Sequence, residues 1–143
     1  MSPTFTVRPS DLFQTGPVVE LSIGISSLLE DQLKKEGKPI PPPIKVKAMI
    51  DTGATVTAIS DKLAKTLQLE PIGVQTINTP SSQNVECGVY HVRLYFPENI
   101  GLESNVLGAP LKGQDIACLI GRNVLAHSVL VYIGRENQFT LSF

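Results

Sequence analysis

One stretch constrains this chain more than any other: Met49-Ile50-Asp51-Thr52-Gly53-Ala54-Thr55. Apolar residues lead directly into a carboxylate, which is followed by a small hydroxyl residue, a glycine and an alanine. Burying a carboxylate at the end of an apolar strand costs free energy unless the group is paired or has a chemical task. We therefore take Asp51 as the centre of a candidate active site.

Size and composition indicate one ordinary domain, residues 1–143, with 42% hydrophobic residues, 17% charged residues and a net charge of −1. Lys and Arg are few and scattered, so we expect no nucleic-acid surface. No apolar run approaches the length that spans a membrane, and no export signal precedes the domain, so we expect a cytoplasmic protein without membrane contacts. The absence of Trp and the 11 Pro and 11 Gly indicate a turn-rich, mostly β chain.

Other kinds of site find little support in the sequence. Cys87 and Cys118 are too few for a disulfide framework and wrongly spaced for zinc, so we expect packing thiols. His91 and His127 form no pair with metal-ligand spacing and are expected to be structural. Neither a G-x-S-x-G elbow nor a phosphate-binding G-x-x-x-x-G-K loop occurs. We expect no metal and no cofactor.

Alternating or continuous apolar runs predict the strands of this chain. They cover residues 4–7, 18–25, 44–50, 55–59, 74–77, 85–96, 106–109, 116–120, 128–133 and 139–143. The clearest alternation is at 18–25, where every second residue is apolar. The rest of the N-terminal segment 1–17 is weakly patterned.

Three helices are predicted between these strands. Ser27-Leu28-Leu29-Glu30 fits a capping box, and Gly37 can end the helix that it begins. Because several prolines follow, residues 26–43 are predicted to be an inserted helix and proline-rich loop between two strands. Ser60 or Asp61 can cap a second helix that runs through residue 67, and residues 123–126 form a third.

One carboxylate alone is a poor peptide hydrolase. Two carboxylates at hydrogen-bond distance cannot both ionise easily, so they share one proton. One then activates a water molecule while the other polarises the scissile carbonyl. This chain has a single Asp-Thr-Gly, so the second carboxylate has to come from a second chain. A two-fold dimer that places Asp51 beside its own copy supplies it.

Two motifs of this chain, and the order in which they occur, resemble those of the retropepsin-like (retroviral-type) aspartic proteases. Met49-Ile50-Asp51-Thr52-Gly53-Ala54 is similar to their active-site motif, and Leu119-Ile120-Gly121-Arg122-Asn123-Val124-Leu125 is similar to their second signature. The resemblance covers residues 44–143, with the strand at 18–25 as the preceding hairpin arm. It implies an all-β fold: a small closed barrel or sandwich with a flap hairpin and one or two short helices, functional as a homodimer.

The resemblance also implies roles for single residues. Asp51 would be the dyad acid of an aspartic endopeptidase, and Thr52 would hydrogen-bond across the two-fold axis. Gly53 would let the loop turn and expose its backbone, and Ala54 would be the small residue beside the cleft. The flap tip, closing over an extended polypeptide substrate, would be formed by Asn78, Thr79, Pro80, Ser81, Ser82, Gln83 and Asn84. Gly121, Arg122 and Asn123 would be the structural signature, with Arg122 as an anchor inside the fold.

The chain departs from the viral pattern in three places. Thr55 stands near the position where viral members usually have an acid that pairs with arginines. The hairpin tip lacks the usual glycines, and the insertion at 26–43 is more like cellular or bacterial members. The C-terminal residues 139–143 could supply an interface strand or complete the protomer's own sheet.

Three functional hypotheses follow. The first is a homodimeric aspartic endopeptidase that acts on polypeptide. The second is a retropepsin-fold module that dimerises or binds peptides with little or no cleavage. The third is a protease domain that is cut from a larger precursor.

Overall fold

The structure is a computed structural model that describes residues 2–78, 83–111 and 115–143. Within these ranges the chain forms ten strands and four short α-helices. The strands are β1 (Thr4–Val7), β2 (Val18–Ile25), β3 (Ile44–Ile50), β4 (Ala58–Ser60), β5 (Gly73–Ile77), β6 (Val85–Phe96), β7 (Ile100–Ala109), β8 (Cys118–Ile120), β9 (Val129–Ile133) and β10 (Gln138–Ser142). The helices are α1 (Leu12–Thr15), α2 (Ser27–Lys35), α3 (Asp61–Thr66) and α4 (Arg122–Leu125). None of these helices has the length and apolarity needed to span a membrane.

Six strands close into a barrel in the order β2-β3-β8-β4-β7-β6, and β6 returns to pair with β2. The β3–β8 and β4–β7 pairs are parallel, and the other barrel pairs are antiparallel. Closure leaves the six strands without an open edge, apart from the ends that extend beyond the pairing. Strand β5 lies outside the ring and pairs with the first half of β6. The predicted all-β barrel is confirmed.

Strand β2 shows why the barrel closes. Its alternation places Val19, Leu21 and Ile23 inside, where at most 3% of each side chain is exposed. Glu20, on the other face, is exposed. Each fully buried aliphatic side chain of this kind contributes roughly 1.5–3 kcal/mol. The strand predicted at 18–25 is confirmed with the same bounds.

A second sheet of three strands packs against the barrel in the order β1-β10-β9. Its middle strand, β10, contributes Phe139 and Leu141, which are both fully buried. Phe5 of β1 stacks on Phe96 at the end of β6, with ring centroids 5.9 Å apart. In this protomer the C-terminal strand therefore completes the chain's own sheet, which was one of the two alternatives from the sequence.

The N-cap of helix α2 lies one residue before the predicted capping box. Ser26 is the N-cap, because its hydroxyl accepts from the Leu29 N–H at 3.2 Å. Ser27 instead donates its backbone N–H to the carboxylate of Glu103, at 2.7 Å. The capping box at 27–30 was therefore wrong by one position. Gly37, with φ of +66°, follows the end of the helix as predicted.

Several strand bounds also differ from the prediction. Residues 55–57 do not belong to β4, because their backbone groups bond to the chain near Asn123 and to Leu107. The strand expected at 106–109 is the end of the much longer β7, and the strand expected at 116–120 is shortened to β8. Helix α1 was not predicted; Leu12 at its start is fully buried, and its N–H donates to Asn137 Oδ1 at 2.8 Å.

Candidate active site

Asp51 is the first residue after β3, at the edge of the barrel where β8 also ends. The two strands run parallel, with Ile50 opposite Ile120, so their carboxyl ends lie side by side. The Asp51 N–H extends this ladder by donating to the Ile120 carbonyl at 2.9 Å. The parallel pair thereby brings together two motifs that are far apart in the sequence.

The loop after Asp51 is a tight turn held by the aspartate itself. Its Oδ1 accepts from the Gly53 N–H at 3.0 Å, and its carbonyl accepts from the Ala54 N–H at 3.1 Å. A side chain that bonds its own backbone two residues on is typical of an Asx turn. Asp51 is half-buried, while Thr52 and Gly53 are exposed. The carboxylate is thus held at one oxygen beside an open surface.

The second motif holds this loop from the other side. The Arg122 N–H donates to the Ala54 carbonyl at 2.8 Å, and the Asn123 N–H donates to the Thr55 carbonyl at 3.1 Å. The Arg122 guanidinium donates from Nη1 to the Thr52 carbonyl at 2.8 Å and from Nη2 to Thr55 Oγ1 at 3.1 Å. Arg122 is exposed, so the expectation of an anchor inside the fold was wrong. It fastens the loop from the surface, and Thr55 supplies a neutral acceptor.

A buried threonine, Thr57, links the loop to the second motif. Its backbone N–H and its hydroxyl both donate to Asn123 Oδ1 at 2.8 Å, and the hydroxyl accepts from the Gly121 N–H at 3.0 Å. Asn123 Nδ2 donates to Ser104 Oγ at 3.0 Å and to the Asn105 carbonyl at 2.9 Å. Both donors and both acceptor positions of the Asn123 amide are therefore used, and one side chain joins the loop, α4 and β7.

Gly121 is required by the closeness of the two motifs. A Cβ atom at this position would lie 2.6 Å from the Val56 carbonyl carbon and 2.8 Å from the Thr57 nitrogen. Both are backbone atoms, which cannot rotate away as a side chain could. Only a residue without Cβ lets α4 begin directly against the loop.

The hairpin of β5 and β6 carries the residues that were expected to cover the cleft. Asn84, at φ of +56°, donates its N–H to Asn78 Oδ1 at 2.9 Å, so these two residues meet at the end of the arms. Gln83 is exposed. The other four expected residues lie outside the described ranges: Thr79, Pro80, Ser81 and Ser82. No described hydrogen bond brings the hairpin residues to Asp51.

A small apolar cluster lies between this hairpin and the Asp51 loop. Its buried members are Cys87, Leu107 and Ala109. Side chains from the hairpin arms, from the segment after the Asp51 loop and from the residues after β7 pack on it: Val56, Ala58, Ile77, Val85, Val89 and Leu111. The arms of the hairpin are thus packed on a cluster that includes Val56, in the segment that the second motif holds.

The chemistry available at this edge in one protomer is that of a single carboxylate. Among the described residues, no Asp or Glu side chain bonds to Asp51. In the same part of the chain, no group of three or more His, Cys, Asp or Glu residues could bind a metal ion. One carboxylate can act either as the general base or, when protonated, as the general acid. A single protomer therefore lacks the second carboxylate of an acid–base pair.

Sequence reasoning missed Thr57 as a member of this site. Thr57 lies within the strand predicted at 55–59, where a threonine is ordinary, so the residue itself carried no signal. The one available hint was Asn123 of the second motif, since an amide side chain that is buried beside an apolar strand requires polar partners. The sequence did not reveal which residues those partners are.

Comparison with known proteins relates this geometry to a family. The family model described as "gag-polyprotein putative aspartyl protease" matches residues 43–127, which include both motifs and the hairpin between them. A search of curated protein sequences gave no match.

One solved structure shows the same fold over the whole of this chain. The alignment with the retropepsin-like aspartic protease from Rickettsia conorii has a TM-score of 0.52 and 11% identity, and covers 100% of this chain and 94% of that chain. The alignment with the retroviral protease-like domain of Ddi1 from Leishmania major has a TM-score of 0.47 and 13% identity, and covers 86% of each chain. From the family model and the fold, we conclude that this chain belongs to the gag-polyprotein aspartyl protease family and has the retropepsin-like fold.

Proposed function

We propose that this protein is an aspartic endopeptidase whose active site forms when Asp51 meets its copy in a homodimer. One observation carries the proposal: a single half-buried carboxylate stands on a loop held by four hydrogen bonds from the second motif. Two such carboxylates on a two-fold axis make a general acid and a general base from one kind of residue. Thr52 and Gly53, which are exposed beside Asp51, are then the residues that face the partner and the substrate.

In the proposed reaction the two carboxylates share one proton. The ionised carboxylate removes a proton from a water molecule as the water oxygen bonds to the scissile carbonyl carbon. The protonated carboxylic acid gives its proton to the carbonyl oxygen. The tetrahedral intermediate then returns a proton from its hydroxyl to one carboxylate and receives one at the amide nitrogen. The C–N bond breaks, releasing an amine and a carboxylic acid.

The substrate in this proposal is a polypeptide in an extended conformation. The β5–β6 hairpin supports this, because its arms pack with Val56, in the segment that follows Asp51, and because β5 lies outside the closed ring of barrel strands. Extended peptides bind such structures by strand addition, with backbone hydrogen bonds giving affinity and pockets giving preference. Residues Asn78 to Asn84 are proposed to close over the bound chain, and Gly121, Arg122 and Asn123 to keep the Asp51 loop in place beneath it.

Asp51→Asn tests the proposal. Asparagine has nearly the same shape, and its side-chain oxygen can still accept from the Gly53 N–H, so the fold should be retained. General acid–base catalysis typically accelerates a reaction by about 10²–10⁴-fold, so kcat/KM for cleavage of an unfolded polypeptide should fall by at least that factor. Asp31→Asn, which makes the same change on the surface of α2, is the matched control. Equal rates for Asp51→Asn and wild type would contradict the proposal.

The second candidate function is a dimer that binds peptides without cleaving them. It is favoured by Thr55, which leaves the loop without the acid that viral enzymes have there. Cleavage that depends on Asp51 at any pH between about 4 and 7 would exclude it, since carboxylate dyads work in this region. Peptide binding that is equally tight in wild type and Asp51→Asn, with no cleavage by either protein, would establish it instead.

A further inference from the structure

The segment between α2 and β3 takes no part in the proposed reaction. It is Lys38-Pro39-Ile40-Pro41-Pro42-Pro43, and it leads from the end of α2 to the first residue of β3, Ile44. Proline fixes its own φ, and a residue that precedes proline is confined to extended or polyproline II backbone. Every residue from 38 to 43 is a proline or precedes one. The sequence therefore favours a polyproline II helix with three residues per turn.

The exposure of this segment repeats every third residue. Pro41 and Ile44 are half-buried, and the two residues before each of them are exposed: Pro39, Ile40, Pro42 and Pro43. Residues three apart lie on the same side of a polyproline II helix. Positions 41 and 44 therefore face the protein, while 39 and 42 form one outward ridge and 40 and 43 form another.

The inward side of the segment is held by the rest of the fold. Pro41 lines a cavity of about 160 Å³ together with Leu29 and Leu33 of α2 and with Leu67. Ile44 packs against the main core, where β3 begins. The segment is thus ordered before any partner arrives, so binding it would cost less conformational entropy than binding a flexible linker.

The outward side determines the chemistry of a partner. Proline has no backbone N–H, and in the described part of the chain no backbone N–H donates to a carbonyl of residues 39–43. These carbonyls are available as acceptors between apolar rings, and Ile40 adds an exposed apolar side chain. A complementary surface needs flat apolar slots for the rings and hydrogen-bond donors beside the slots. Tryptophan and tyrosine each provide both in one side chain.

We propose that residues 38–43 are a docking segment for a domain whose aromatic-lined groove binds polyproline II helices. Pro39 and Pro42 are one turn apart, about 9 Å along the helix axis, which matches the P-x-x-P segments that such grooves accept. The inference is independent of the proposed function. Strand β3, which is seven residues long, separates the segment from Asp51 by roughly 20 Å. A domain docked here lies at the opposite end of β3 from the candidate active site.

Tryptophan fluorescence of the partner domain measures this docking directly, because the present chain contains no Trp. The probes are a panel of purified SH3 and WW domains, each with a tryptophan in its groove. Each is titrated with the full chain carrying Asp51→Asn, so that cleavage cannot consume the probe. We expect a saturable change of the signal with at least one domain. Pro39→Ala combined with Pro42→Ala should raise the dissociation constant about tenfold or more, because both anchors lose their rings. Pro71→Ala combined with Pro110→Ala changes two exposed prolines elsewhere and should leave it within about twofold.

Circular dichroism compares both double variants with their parent. If Pro39→Ala with Pro42→Ala is not folded, Ile40→Asp replaces it and should weaken binding as strongly, because it places a charge on the second outward ridge. The inference is overturned if no probe domain gives a saturable signal up to about 1 mM. It is also overturned if the segment variant binds as tightly as the control variant. Since the titrated protein lacks the catalytic acid, neither result depends on the proposed function.

Discussion

The hydroxyl of Thr57 offers the sharpest test of how the Asp51 loop is held. Thr57→Val replaces this hydroxyl by a methyl group of similar size and leaves the backbone shape unchanged. Thr57 is fully buried, so no water can replace the lost group without a rearrangement. Two hydrogen bonds disappear: the one donated to Asn123 Oδ1 and the one accepted from the Gly121 N–H.

The two losses are unequal. Asn123 Oδ1 loses the bond from the Thr57 hydroxyl but keeps the bond from the Thr57 backbone N–H. Losing this one ordinary hydrogen bond should lower the free energy of unfolding by about 1 kcal/mol. The Gly121 N–H loses the only acceptor described for it and stays buried, which costs about 1–3 kcal/mol. The free energy of unfolding should therefore fall by about 2–4 kcal/mol. For a chain of this size, that corresponds to a decrease in Tm of roughly 6–14 °C.

Urea unfolding at a fixed protein concentration measures this difference. Thr76→Val is the matched control, since it makes the same chemical change at an exposed position of β5. It should change stability by less than about 0.5 kcal/mol. If Thr57→Val is no less stable than Thr76→Val, the hydroxyl does not hold the loop and the reasoning is refuted. A Thr57→Val protein that stays folded should also lose peptidase activity, because the loop loses its connection to the second motif.

Three further predictions follow from the same structure. Gly121→Ala should destabilise the protein by about 3 kcal/mol in urea unfolding, because its Cβ would lie 2.6 Å from a backbone carbon; Gly101→Ala, with no atom within 4 Å of the new Cβ, should change little. Hydrogen bonds from the backbone N–H and hydroxyl at the start of α2 hold the pKa of Glu103 below its usual value of 4.5. The folded-state pKa is the lower one, so Glu103 stabilises the protein fully above about pH 4.5 and loses this effect as the pH falls through the folded-state pKa. The Tm difference between wild type and Glu103→Gln should be clear at pH 7 and shrink progressively as the pH is lowered below 4.5. Burial raises the pKa of the Cys118 thiol to about 12 and also raises that of Cys87, so both should resist a thiol reagent at pH 8 until the protein is denatured. Rapid modification of either thiol in the native protein would contradict the packing described for them.

Local patterns in the sequence predicted the secondary structure correctly where one face of a strand or helix packs on the core. The alternation in β2 predicted its bounds, because a barrel strand has one face inside and one outside. The turn after Asp51 was also foreseeable, since it is closed by bonds among residues 51–54. Arg122 and Asn123 were recognised as part of a signature because residues 119–125 resemble the second motif of the family.

Where the local patterns gave a wrong or ambiguous prediction, the structure depends on hydrogen-bond partners that are distant in the sequence. Both Ser26 and Ser27 could be the N-cap of α2. In the structure Ser26 accepts from the Leu29 N–H, while the Ser27 N–H donates to the Glu103 carboxylate. The segment at 55–57 has the β-branched composition of a strand, but its backbone bonds to Asn123 and the residues near it. The family resemblance implied that Arg122 is an anchor inside the fold; it instead bonds the Thr52 carbonyl from the surface.

The place of β10 between β1 and β9 affects the order in which the chain can fold. Thr4 and Ser142 are paired across almost the whole length of the chain, so β1 has no strand to join until residues 138–142 have left the ribosome. Pairing over such a separation is slow, because a large loop has to close first. The barrel strands from β2 to β8 are all synthesised earlier and can close without it. A nascent chain would thus carry a formed Asp51 loop before the sheet that contains β1, β10 and β9 is complete.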